Sequence, residues 1–220
     1  MKKILSLAVL LVFSLAMYAQ KDVTKFLGIP VDGTKSEMIK KLKEKGFTST
    51  LYDKDVLEGE FNGVDVYLSV VTNKGKVCRI FIWDTNMLNE ADIINRYNNL
   101  CYQFQHNKKY VPTLIDLHSI PAKENIAYEM SVNNKRYETS FYQMPDSALI
   151  TKKVYSEYSK KQLDNLTEEL RKEINDKIAS YMLETMFKKC VWFRIAEQSG
   201  EYFIAMYYDN EYNQAKGEDL

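Results

Sequence analysis

Apolar residues recur along the chain with two different periods, and the switches between them mark its elements. Thr34-x-x-Glu37 is a capping box, in which hydroxyl and carboxylate satisfy free backbone donors at a helix start, and Met38, Ile39 and Leu42 follow at helical spacing. Gly46 suits the left-handed turn that ends a helix, and Phe47 then falls where a Schellman motif brings it back onto Leu42. The other face carries Lys35, Lys40, Lys41, Lys43 and Lys45 and reads as solvated. From Val56 to Trp83 the period becomes two: Leu57, Gly59 and Phe61, then Val64, Val66, Leu68 and Val70, then Cys78, Ile80 and Ile82. Asn62-Gly63 and Asn73-Lys74-Gly75 supply the reversals of a three-stranded antiparallel meander.

Asn89 caps a second helix whose stripe Ile93, Ile94, Tyr97, Leu100, Cys101 and Phe104 runs to about His106. Beyond a connection containing Pro112 and Pro121, the alternation Ile126, Tyr128, Met130, Val132 predicts a strand, Asn133-Asn134 a turn, and Tyr137, Thr139, Phe141 its hairpin partner. Lys152 to Tyr155 reads as a third strand, a loose echo of the first helix and its meander. Ser159-x-x-Gln162 is another capping box, with Tyr158 and Leu163 as a hydrophobic staple. The stripe Leu163, Leu166, Leu170, Ile174, Ile178, Met182 is long for one globular helix, so a break is expected near Asp164 to Thr167, with Asn165 capping the second piece through Glu168. A final hairpin, Cys190 to Ala196 and Tyr202 to Tyr208, turns at Ser199-Gly200.

Helices alternating with antiparallel hairpins predict an α+β fold, with antiparallel β-sheet built from helix-plus-meander units and helices on one face. No Pro/Gly/Ser-rich linker divides residues 20–220, which read as a single α+β domain, a two-lobe division near 107–125 being the alternative. Residues 1–19 read as a signal peptide: basic Lys2 and Lys3, an apolar run from Ile4 to Leu15, and Ala19 at the cleavage point. A spanning helix needs about 20 apolar residues, and this run stops before Gln20 and Lys21. No Cys follows the run, so the pattern is not that of a lipid-anchored protein. The expected location is periplasmic or secreted, without a membrane anchor after cleavage.

The whole chain balances 30 Lys+Arg against 30 Asp+Glu, which gives no electrostatic reason for a nucleic-acid partner. Three cysteines, Cys78, Cys101 and Cys190, allow at most one internal disulfide; all sit in apolar patterns and read as reduced core thiols. Cys101 and His106, with His118, hint at a thiol–imidazole or metal site, but five helical residues separate side chains by about 140°. Neither a Gly-x-Ser-x-Gly elbow, nor a phosphate loop, nor a His-Glu-x-x-His helix is present. The acid pairs Asp53/Asp55 and Glu58/Glu60 read as solvated, and Asp209-x-Glu211-x-Asn213 starts like a calcium loop but lacks its glycine. No catalytic residue, metal or cofactor is therefore expected.

The unusual feature is aromatic: 16 Tyr, 10 Phe and 2 Trp. Tyr67, Trp83, Tyr137, Trp192, Tyr202 and Tyr207 are expected on the sheet face opposite the helices, where rings with polar handles serve as binding surface. Tyr is also favoured in strands simply for cross-strand packing. The candidate ligand-binding residues are Trp83, Trp192, Tyr207, Tyr208, Asp209, Glu211, Tyr212 and Asn213, the last six also reading as a tied-down C-terminal segment.

Phe26-Leu-Gly-Ile-Pro-Val-Asp-Gly33, Gly59-Glu-Phe-Asn-Gly63, Val191 to Ala196 and Tyr202 to Asn213 together resemble a family of uncharacterised exported proteins of Gram-negative bacteria, a resemblance that implies no activity. The helix-plus-meander unit is similar to the β-lactamase inhibitor protein and to the small lipoprotein of the outer-membrane β-barrel assembly machine, and so implies protein binding by analogy of fold. Asp146-Ser147-Ala148 resembles the acceptor triplet of a bacterial O-glycosylation system. The expected function is a non-enzymatic binding or interaction protein whose partner is a protein of the cell envelope or exterior. The alternatives are a carbohydrate-binding module, with a glycan as partner, and a hydrolase relying on acids.

Overall fold

The computed structural model describes residues 21–113 and 119–215. The expected signal peptide, its expected cleavage after Ala19, and His118 lie outside the described residues. Among the described residues the chain forms two compact units, one of 23–144 with 186–215 and one of 21–22 with 145–185.

The larger unit is an α+β structure. It opens with the small hairpin β1 (Lys25–Phe26) and β2 (Ile29–Pro30), followed by α1 (Lys35–Glu44), β3 (Thr48–Ser49), β4 (Val56–Phe61), β5 (Val64–Asn73) and β6 (Lys76–Asp84). Then come α2 (Glu90–Gln105), β7 (Tyr110–Pro112), α3 (Ile126–Ser131), β8 (Glu138–Gln143) and, after the smaller unit, β9 (Cys190–Gln198) and β10 (Glu201–Asp209). Apart from the first hairpin, the strands form one antiparallel sheet of eight in the order β3-β4-β5-β6-β10-β9-β8-β7. Each half is a helix followed by a meander, and the halves meet where β10 pairs with β6.

Local chemistry sets these boundaries. Thr34 and Glu37 close the capping box of α1. At its other end Phe47 N–H donates to Leu42 O (3.2 Å) and Gly46 N–H to Lys43 O (3.0 Å), the two bonds of a Schellman motif, with Gly46 at φ 100°. Asn62 and Gly63, at φ 55° and 78°, make the tight reversal between β4 and β5 that only residues tolerant of positive φ adopt cheaply. Asn89 caps α2, whose predicted stripe is wholly buried. Helices α1 and α2 share one core with the same sheet face, through Met38, Leu42, Ile93, Leu100 and Phe104 against Leu68, Ile80, Phe141, Phe193 and Ile204.

Two predicted strands are helices. Asn125 accepts from Tyr128 N–H and starts α3, and Ile126 and Met130 turn to the core while Tyr128 and Val132 are exposed. Positions four apart share a face in both helix and strand, so a short alternating run does not separate them. Lys152 to Tyr155 belongs to α4 (Ser147–Tyr155), capped by Asp146, which accepts from Ala148 and Leu149 N–H. The outer partner of β8 is therefore β7, and β9 takes the place expected of residues 152–155.

The smaller unit contains α4, α5 (Lys160–Asp164) and most of α6 (Glu168–Met186), with Ile150, Val154 and Ile174 buried between them. The helix break falls where expected, but its cap differs. Thr167 Oγ1, not Asn165, accepts from Leu170 N–H (3.2 Å), while Asn165 ends α5 by donating to Lys161 O (3.0 Å). Among the described residues no helix is long and apolar enough to cross a membrane.

Candidate functional site: an aromatic row on the open sheet face

Side chains alternate between the faces of a strand, so those next to the core residues point to the face that α1 and α2 leave uncovered. Register then decides which of them meet. Tyr67 lies opposite Trp83, Phe81 opposite Tyr207, and Tyr207 opposite Trp192. The result is a continuous row of five rings across β5, β6, β10 and β9. Centroids are 3.9 Å apart for Trp192–Tyr207, 4.9 Å for Tyr207–Phe81, 4.7 Å for Phe81–Trp83 and 5.7 Å for Trp83–Tyr67. The first three pairs are near parallel, at 14°, 13° and 24°. These rings turn their faces to one another and their edges away from the sheet. All five are half-buried.

An ion pair braces one side of the row. Asp209, nearly buried, accepts from Arg79 Nε and from Arg79 Nη2 (2.8 Å), and its Oδ2 also accepts from Trp192 Nε1 (2.9 Å). The guanidinium carbon of Arg79 lies 4.9 Å from the Tyr207 ring centre and 5.6 Å from that of Trp192, within cation–π range. The Asp209 hydrogen bonds raise the Arg79 pKa further above its already high ordinary value. One carboxylate thus fixes an indole and a cation against the same phenol. At the β4 end of the face stand three exposed acids: Glu58 opposite Tyr67, and Glu60 directly opposite Asp65. At the β8 end Glu138 lies opposite Arg194.

Four of the candidate residues, Trp83, Trp192, Tyr207 and Asp209, come together in this way. Tyr208 points to the other face, buried 5.0 Å from the Phe26 ring, and burial raises its phenol well above the ordinary value. Tyr137 and Tyr202, expected on the open face, are likewise buried in the core. Glu211 is exposed and Tyr212 is half-buried with Lys188 Nζ 5.0 Å above its ring. Asn213 is a fastener: its Nδ2 donates to Asp32 Oδ1 (2.8 Å) and Val77 O (2.7 Å), and its carbonyl accepts from Asn73 Nδ2 (2.9 Å). With Asp209 engaged by Arg79 and Trp192, and Asn213 donating, Asp209, Glu211 and Asn213 do not converge as a calcium-binding set of oxygens. Arg79 and Phe81 were not among the candidates, although both share the parity of Trp83 on β6, which is the signal that finds them.

The remaining motifs are dispersed. Cys101 is buried beside Tyr97, whereas His106 is exposed and stacked on Tyr102 (3.9 Å). Asp53 holds its own loop and Asp55 pairs with Lys35 (2.6 Å). Ser147 is exposed in the first turn of α4. The three cysteines are free thiols; Cys190 is half-buried rather than core. Burial pushes Cys101 up to about 11 and Cys190 up to about 12, the latter with Asp209 and Glu211 adding to the shift. An unfolded thiol ionises near pH 8.5, so above that pH the unfolded state binds fewer protons than the folded one and stability falls as pH rises. Thermal unfolding should accordingly shift downward from about pH 8.5 to pH 10, and less in Cys101→Ser/Cys190→Ser, which calorimetry across that range measures; above about pH 10 the buried phenols of Tyr97 and Tyr208, raised in the same way, add to the fall in both proteins.

No family model matches the chain, nor does any curated protein or solved structure. Fold and face together define an α+β protein with an eight-stranded antiparallel sheet, helices on one side and an aromatic row on the other.

Proposed function

We propose that the chain is an exported, non-catalytic binding protein that recognises a protein partner through the open face of its main sheet. The observation that carries this reading is the aromatic row. Sugar platforms present the flat face of a ring, whereas the faces of Trp192, Tyr207, Phe81 and Trp83 are largely turned on one another. What remains is a strip of apolar edges beside fixed polar groups, the composition that protein interfaces favour. Rings held by their neighbours and by Asp209 also lose little freedom on binding, which makes affinity cheaper. The signal-like N-terminus supports export, with a partner in the cell envelope or outside it.

Quantitative affinity capture with residues 20–220, using wild type, Trp192→Ala and Tyr207→Ala as baits, tests the reading once the captured protein is identified and purified. Each substitution should weaken binding of that pure protein by about tenfold to several hundredfold, the range of interface hot spots. Thermal stability of the same protein should not rise with oligosaccharides. Hydrolysis of glycans or peptides by the purified chain, or unchanged affinity in both variants, would overturn the proposal. An oligosaccharide shift lost in Trp192→Ala would replace it with the carbohydrate module.

A further inference from the structure

Leu51 and Tyr52 are 95% and 99% exposed, whereas the other exposed large hydrophobic residues among the described residues lie between 37% and 61%. One exposed apolar side chain is ordinary; two neighbours projecting at a loop tip are a different matter. Their loop, between β3 and β4, is not loose. Thr50 Oγ1 donates to Asp53 O (2.7 Å) and accepts from Asp53 N–H (3.1 Å), and Asp53 Oδ1 accepts from Asp55 N–H (2.8 Å). Thr50 N–H donates to Val56 O (3.0 Å), Val56 N–H to Asp53 O (3.2 Å), and Lys35 pairs with Asp55. The backbone that carries the two side chains is thus ordered before any partner arrives.

The loop also stands in line with the aromatic row. Val56, where the chain rejoins the sheet, lies opposite Ser69; Ser69 lies opposite Phe81, and Phe81 opposite Tyr207. The segment is acidic on balance: Thr50 to Phe61 contains Asp53, Asp55, Glu58 and Glu60 against Lys54, with Lys35 of α1 neutralising Asp55. Further along the same strand, about 13 Å past Val56, Glu60 faces Asp65 across the ladder, a like-charge pairing that costs stability when nothing cationic covers it.

From this arrangement we infer that Leu51 and Tyr52 form an anchor that enters an apolar pocket with a basic rim on the partner protein. The inference rests on the open face being a protein-binding surface and extends that surface past its β4 edge. Tyr is among the residues that dominate interface energy when seated in a pocket, and the surrounding carboxylates select a cationic rim. The same acids oppose insertion into a lipid surface, since interfacial anchors carry Lys and Arg beside their apolar groups and anionic headgroups repel carboxylates.

The test starts from Tyr52→p-benzoylphenylalanine in the full chain, irradiated in its own cell envelope, with the adduct identified by mass spectrometry. The identified protein, purified, is then titrated against wild type, Leu51→Ala/Tyr52→Ala and Tyr207→Ala. The expected result is an adduct with one protein, and a double variant that keeps the wild-type melting temperature but binds that protein at least about 30-fold more weakly. Adding salt should weaken wild-type binding, as a basic rim requires. Adducts with lipid alone, no adduct from position 52, or a double variant within twofold of wild type would overturn the anchor. Loss of binding in Tyr207→Ala with none in the double variant removes the anchor and leaves the face reading standing. The reverse pattern keeps the anchor as a contact and removes the face.

Discussion

Phe193→Ala should lower the stability of the larger unit by about 3–5 kcal/mol, the cost of emptying a buried aromatic site. Phe193 is fully buried on β9, and its ring centre lies 5.4 Å from Tyr97, 5.6 Å from Phe104 and 6.1 Å from Phe141. Two of those neighbours belong to α2 and one to β8, so the ring joins helix and sheet. The surrounding strands are fixed by backbone ladders and cannot close over the space. For a chain of this size each kcal/mol lowers the melting temperature by about 2–4 °C, so a fall of about 6–20 °C in scanning calorimetry is expected. A loss under about 1 kcal/mol would mean that the helix closes the gap, against this account of the packing.

Asp84→Ala should rival it. The Asp84 carboxylate is 7% exposed, accepts from Arg96 Nη2 at 3.0 Å, and takes Ile204 N–H on Oδ2 at 3.1 Å. It therefore joins the end of β6 to α2 and to β10, the contact on which the two halves depend. Removing it strands a guanidinium whose side chain is 15% exposed and a buried backbone donor, a loss of about 3–5 kcal/mol for a broken buried pair. Asp84→Ala/Arg96→Met should recover part of that, because the uncompensated charge then disappears as well. Chemical denaturation of the single and double variants measures both numbers, and a double variant no more stable than Asp84→Ala would refute the charge argument.

The sequence was most legible where local chemistry and periodicity agreed. Thr34 and Glu37, Asn62-Gly63, Asn89 and the stripe of α2 each specify their element within a few residues, and the structure keeps them all. It was least legible at Ile126–Val132 and Lys152–Tyr155, where runs too short to show a period were settled by caps at Asn125 and Asp146. The candidate site divided along the same line. Parity put Trp83, Trp192 and Tyr207 on one face, but Tyr208, one residue further on, had to go to the other. Tyr137 and Tyr202 misled because a tyrosine suits either side of a sheet. No local pattern announces the row itself, since Phe81 meets Tyr207 only through a pairing between strands 126 positions apart in sequence, which depends on where β10 enters the sheet.

That entry point orders the making of the protein. As the chain emerges from its N-terminus, α1 and β4–β6 can close their own meander, but β6 keeps one bare edge until β10 arrives to cover it. Between those moments lie all of α2 to β9, including the separate helical unit. The open ladder of β6, bordered by Phe81 and Trp83, is a template for any passing strand during that interval. Assembly should then wait on a loop closure across more than half the chain, and the seam that creates the aromatic row is expected to form late.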